Sequence, residues 1–111
     1  MSVSGHLAGQ VADCLLRIEM ELRQLQLWEQ ERPPEEAFAS TEPFCIDTLA
    51  FTQWLQFVFL ERMAVLIESG QPLPAVSGIA PMAEEYFRGQ EQTGQGLIRA
   101  LEAVDRLLSG Q

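Results

Sequence analysis

The chain reads as all-α, a small antiparallel up-and-down bundle of about four helices with one extra short helical turn. Three observations predict this. Apolar residues recur at spacings of three and four through most of the 111 residues. No segment alternates with the two-residue period of a strand, and no Asn-Gly or Asp-Gly hairpin dipeptide occurs. Short links bearing proline and glycine join the periodic segments, which favours antiparallel neighbours. The length suits one domain over residues 1–111, with 1–6 and 109–111 frayed, able to bury a core without metal or disulfide.

The first helix is marked by Leu7, Val11, Cys14, Leu15, Ile18, Leu22 and Leu25, one apolar stripe. Asp13–Arg17 and Glu19–Arg23 are acid-before-base pairs on its polar face. Leu16, Met20 and Leu27 form a second, weaker stripe, so this helix is expected to touch two neighbours. Arg32-Pro33-Pro34 is expected to end it, because a residue before proline is pushed out of the α region. Pro34 to Phe38 then suits a single helical turn, with acids at its start and Phe38 as anchor. In Ser40-Thr41-Glu42-Pro43-Phe44, Pro43 fixes a turn and Phe44 is placed to plug into a core.

The central helix is predicted from Asp47 to Ser69, with Asp47 or Thr48 as N-cap and Gly70 just past its end. On a wheel of 100° per residue, Phe51, Trp54, Leu55, Phe57, Val58 and Phe59 cover one arc of its first half. Thr52, Gln53 and Gln56 fill the opposite strip. In the second half, Leu60, Met63, Ala64, Leu66 and Ile67 lie where those polar residues were. The apolar face therefore switches sides near Leu60. Such a helix is packed by different neighbours along its length, or leaves an apolar arc for a partner.

Gln71-Pro72-Leu73-Pro74 is a stiff link, since neither proline extends a helix. A shorter helix follows with Pro81 at its first position and Glu84 and Glu85 in its early turns. Gly89 is expected to stop it, and Gly89 to Gly96 reads as a hinge or a loose helix start. Leu97, Leu101, Val104 and Leu108 mark the last helix.

Little in the chain points to catalysis. His6 is alone and near the N-terminus, and no E-x-x-H, phosphate-cradling glycine loop or G-x-S-x-G occurs. Glu84 and Glu85 point about 100° apart on a helix, and acids early in a helix are expected from the dipole alone. Asp47 is better read as a cap than as a catalytic acid. Cys14 and Cys45 lack a CxxC spacing, and Cys45 has no basic neighbour in sequence to activate it. Catalytic, cofactor-binding and metal-ligating residues are therefore assigned to none of these.

Charge is more telling. Sixteen acids stand against seven arginines and no lysine, a formal net charge of −9. Such a surface repels phosphate backbones and anionic lipid, which disfavours direct nucleic-acid binding, and it favours basic partners. No apolar run reaches the roughly 20 residues of a membrane span, and no export signal is visible, so a cytoplasmic location is expected. The aromatics Phe44, Phe51, Trp54, Phe57 and Phe59 read either as core or as a hot spot for a partner. Arg62 would bury well only if paired with a carboxylate.

Ser40-Thr41-x-Pro43-Phe44-x-x-Asp47-Thr48, Trp54-Leu55-Gln56, Arg62-Met63, Pro72-Leu73-Pro74 and Ala80-Pro81 together resemble the YqcC-like family of small bacterial proteins. Trp28 at the end of the first helix and Leu101-Glu102-x-x-Asp105 in the last fit the same pattern. One departure is Glu61, where some members look to have proline, which implies a straighter central helix here. The resemblance implies a helical fold and no established catalytic activity. It also implies a gene neighbourhood shared with a tRNA pseudouridine synthase, hence an accessory role in tRNA modification.

The sequence thus leads to a non-catalytic helical protein that binds another protein, with that synthase as the named partner. Its candidate surface comprises Pro43, Phe44, Asp47, Thr48, Gln53, Trp54, Gln56, Phe57, Arg62, Pro72, Pro74 and Pro81. The alternatives are a small-ligand-binding bundle using the aromatic arc with the Thr52, Gln53 and Gln56 strip as polar contacts, and a hydrolase or transferase with Asp47 beside Glu84 or Glu85. Homodimerisation is compatible with each.

Overall fold

A computed structural model describes residues 3–75 and 78–109. Helix α1 spans Val3–Gln24. Two 3-10 turns follow, at Glu35–Ala39 and Pro43–Cys45. Helix α2 is continuous over residues 51–68 but wound in three stretches, α at Phe51–Trp54, π at Leu55–Leu60 and α again at Glu61–Glu68. Helices α3 (Ile79–Tyr86) and α4 (Glu91–Leu108) complete the fold. The all-α prediction holds, with four helices and no strand among the described residues.

Neighbouring helices run antiparallel. Gly96, early in α4, lies beside Glu21 near the end of α1. The carboxylate of Asp105, late in α4, accepts the Ile79 and Ala80 N–H groups at 3.1 and 2.8 Å. It therefore satisfies two of the unpaired donors at the start of α3, and Pro81 in the same turn has no N–H to satisfy. That contact lets α3 begin two residues before Pro81, earlier than a proline-led start. The core joins Val11, Ile18 and Leu22 of α1 to Phe51, Leu55, Phe59 and Met63 of α2, and to Leu97, Leu101 and Val104 of α4.

The π stretch resolves the switch of faces in α2. Phe51, Leu55, Phe59 and Met63 recur every four residues and all are buried. In an α-helix a four-residue repeat drifts about 40° per step, so these four would spiral off one face. A π turn holds an extra residue and takes up that drift. Residues 55–61 contain no proline, and the irregularity of the helix is the π stretch that ends just before Glu61.

Other boundaries differ for local reasons. α1 starts at Val3, not near Leu7, and the expected fraying at Met1, Ser2, Gly110 and Gln111 lies outside the described residues. At its other end α1 stops at Gln24, well before the prolines and before Trp28. Gln26 is left-handed (φ 60°), Leu27 N–H bonds back to the Leu22 carbonyl at 2.9 Å, and Gln26 N–H bonds to Arg23 at 3.0 Å. This terminator usually carries glycine, and a glutamine gives no signal for it. At the end of α2 the same motif forms with Gly70 (φ 68°) in the left-handed position, as predicted.

Asp47 and Thr48 do not cap α2, whose N-cap is Ala50. Ser40 Oγ donates to Asp47 at 2.5 Å, and Thr48 Oγ1 donates to the Ala37 carbonyl at 2.6 Å, so both residues tie the two 3-10 turns together. Between those ties Phe44 and Cys45 are left-handed (φ 58° and 50°), a conformation that costs about 1–3 kcal/mol for each non-glycine residue. Phe44 is held there by an edge-on contact with Trp54, 4.7 Å between centroids.

Gly94 and Gly96 lie inside α4 rather than in a hinge. A Cβ at Gly94 would stand 2.3 Å from the Phe87 ring, whereas at Gly96 it would meet the movable end of the Glu21 side chain. Gly94→Ala is expected to lower stability, since overpacking of about 1–3 kcal/mol outweighs a helix-propensity gain of about 1 kcal/mol. Gly96→Ala is expected to raise stability slightly. Urea denaturation of the two variants checks the opposite signs.

Candidate functional site: an apolar groove between α1 and α2

The link between α1 and α2 is pinned at several points, and these build the most distinctive surface. Gln56 is buried at 6% exposure in the π stretch. Its Oε1 accepts the Glu29 N–H and its Nε2 donates to the Glu29 carbonyl, both at 2.9 Å. One side-chain amide thus pairs with both polar groups of a single residue, as a neighbouring strand would. Gln53 accepts the Ala50 N–H at 2.8 Å and donates to the Glu29 carboxylate at 3.3 Å. Further along the link, Arg32 bonds both oxygens of Glu61 at 2.9 and 2.8 Å, with its guanidinium 4.5 Å from the Phe38 ring centroid.

With Glu29 fixed, the preceding Trp28 is laid against the space between α1 and α2. The result is an open groove of about 490 Å³ floored by Leu15, Leu16, Trp28, Leu60, Ala64 and Ile67. Its charged lining residues are all glutamates, Glu19, Glu61 and Glu68. Leu16 is 67% exposed and Met20, one turn further along α1, is 54% exposed. Leu16 and Met20 of the second stripe are thus left uncovered, whereas Leu27 packs against the core. The arc on the later half of α2, which includes Leu60 and Ala64, forms the facing wall.

Of the residues singled out from sequence, Gln56 lines this groove, while Phe44, Trp54, Phe57 and Arg62 come together around a separate open hollow of about 620 Å³ with Arg32 and Phe38. Phe51, Phe57 and Phe59 are buried, and Phe44 and Trp54 are half-buried against the same core, so most of the aromatic arc is packing. Gln53 and Gln56 hold the backbone of the link. Pro43 opens a strained 3-10 turn, and Pro81 lies in the first turn of α3. Arg62 joins no ion pair among the described residues and is exposed, in keeping with the condition that it buries only when paired. It stands with Pro72, Pro74 and Trp54 around a smaller hollow of about 350 Å³. The sequence reading missed Arg32 and Glu29 as anchors, whose partners lie more than twenty residues away.

No chemistry converges in these places. Glu85 pairs with Arg88 at 2.5 Å, and Asp47 is engaged by Ser40. Among the described residues no three acids, histidines or cysteines gather as a metal site. Both cysteines are reduced and half-buried. Burial pushes the Cys14 thiol up, the Asp13 charge adds to this, and Arg17 opposes it. A raised thiol pKa leaves less thiolate at neutral pH, the opposite of activation.

Residues 10–107 match the DUF446 family, described as tRNA pseudouridine synthase C. The chain belongs to this family. A Haemophilus influenzae relative called an uncharacterized protein is 39% identical over 99 residues, covering 89% of this chain and 92% of the relative. The Escherichia coli member YqcC is 34% identical over 95 residues, 86% of this chain and 87% of YqcC. Its solution NMR structure superposes with a TM-score of 0.80, covering 94% of this chain and 89% of that one at 32% identity. A Pectobacterium carotovorum protein named tRNA pseudouridine synthase C is 49% identical over 84 residues. Those are 76% of this chain but 22% of that protein. The YqcC-like fold inferred from the motifs is thus the one found. No helix among the described residues is long and apolar enough to cross a membrane.

In this YqcC-like chain, Gln56→Ala strips Glu29 of both partners inside a part-buried site. A loss of about 1–3 kcal/mol is expected, together with a red shift of Trp28 emission in a Trp54→Phe background. Chemical denaturation followed by fluorescence measures both.

Proposed function

We propose that the chain is a non-catalytic cytoplasmic accessory protein that docks on a tRNA pseudouridine synthase. The observation carrying this reading is the Pectobacterium carotovorum relative, in which the matched segment is a 22% portion of a chain named for that enzyme. More than three quarters of that protein lies outside the match, so there the helical unit shares a polypeptide with something else. Covalent linkage supplies a high effective concentration, whereas separate chains need a surface of their own to associate. The α1–α2 groove offers such a surface. A net charge of −9 without lysine favours a basic, tRNA-handling protein over tRNA itself.

The small-ligand reading draws on the same groove, whose volume falls within the roughly 300–1,000 Å³ of ligand pockets. It has weaker support, because a ligand pocket surrounds its ligand with both donors and acceptors, and the available polar groups here are carboxylates alone. Gln56, the one amide lining the groove, has both ends engaged by Glu29.

Size-exclusion chromatography of the purified chain with the tRNA pseudouridine synthase C of the same bacterium tests the proposal. Co-elution is expected near 50 mM salt, with weakening as salt rises and charge attraction is screened. Separate elution at about 50 mM salt, where attraction between charges is strongest, would contradict it.

A further inference from the structure

Resting on that docking reading, we propose that the α1–α2 groove receives an amphipathic helix with arginine or lysine along its polar edges. The floor is apolar and uncovered, since Leu16 is 67% exposed and Ala64 on the opposite wall is also exposed. It lies between α1 and α2 and follows α2 from Gln56 to Glu68, about 18 Å at the rise of a helix. That length accepts about three turns of a helix laid along the groove, with apolar side chains at i, i+3, i+4 and i+7 inserted between the walls.

Charge selects the occupant. Glu19, Glu61 and Glu68 line the groove with no basic residue among them. Glu68 joins no ion pair among the described residues. Glu19 and Glu61 are held only by Arg23 and Arg32, in pairs about half exposed. Exposed pairs of this kind are typically worth under about 1 kcal/mol, so an incoming cation exchanges for them readily. Arg23 bonds Glu19 at 2.9 Å while its guanidinium stands 4.5 Å above the Trp28 ring. Just outside the lining residues a cation is therefore already seated between a carboxylate and an indole face that both line the groove. A second copy of the chain, at −9 and without lysine, is repelled by the same rim.

Two arms test the proposal separately from the docking reading. In the first, binding of the synthase is compared for the wild type, Leu16→Arg and Ala64→Arg in the groove, and Ile46→Arg and Val65→Arg at exposed apolar positions outside it. Circular dichroism confirms that each variant is folded. The groove variants are expected to bind about tenfold or more weaker and the others within about threefold, as for a hot-spot patch. Equal effects at both sets would overturn the groove assignment while leaving the docking reading intact.

The second arm needs no synthase. Trp54→Phe leaves Trp28 as the sole tryptophan, and the protein is titrated with an amphipathic leucine–lysine peptide of about 18 residues and with its leucine–glutamate counterpart. The cationic peptide is expected to shift Trp28 emission to the blue, the anionic one to leave it unchanged, and Ala64→Arg to abolish the shift. No shift with the cationic peptide, the same shift with both, or persistence in Ala64→Arg overturns the proposal whatever the synthase does. If the synthase fails to bind the wild type, the docking reading falls and this arm alone decides the groove.

Discussion

A carboxamide can pair its donor and its acceptor with one residue of a neighbouring backbone, and Gln56 does so with Glu29 from within α2. Several features follow from that pair. A buried amide left unpaired would cost about 1–3 kcal/mol, so the link from α1 must come close at this point. Trp28 is then turned against the groove, and Arg32 is carried to Glu61 on the next turn of α2. No buried side-chain polar atom among the described residues lacks a partner. Gln53 and Gln56 of the polar strip thus serve to fasten the link to α2.

The π stretch is the helical side of the same arrangement. α2 has to bury Phe51, Leu55, Phe59 and Met63 toward the core while Gln56 faces the link. A regular α-helix would fan the four apolar residues over about 120° of its surface. Widening at Leu55–Leu60 keeps them in line and sets the later half so that Leu60, Ala64 and Ile67 wall the groove. An irregular turn thus joins core packing to the surface where a partner would dock.

Much of this was legible in residue spacing. The all-α class, the stripes of α1 and α4, and Gly70 beyond α2 came from periodicity and glycine chemistry alone. The change of face near Leu60 was visible too, and with Leu16 of the second stripe of α1 it contributes to the two walls of the groove. What was hidden depended on partners distant in sequence. Asp105 reaches across to start α3, Gln56 reaches Glu29, and Gln26 takes a left-handed turn that glutamine does not advertise. Phe44 was expected to plug into a core, but nothing in its neighbours announced a left-handed backbone. Asp47 and Thr48 looked like caps because they precede a helix; their hydroxyl and carboxylate bind earlier turns instead.

The central claim is that Gln56 clamps the link and so maintains the groove. Native-state hydrogen exchange at the Glu29 amide tests it most directly, because that single N–H donates to Gln56 Oε1. Protection comparable to core amides of α2 is expected in the wild type, with loss of that protection in Gln56→Ala while the helices stay protected. Exchange of the Glu29 amide at the rate of an open loop in the wild type would contradict the account.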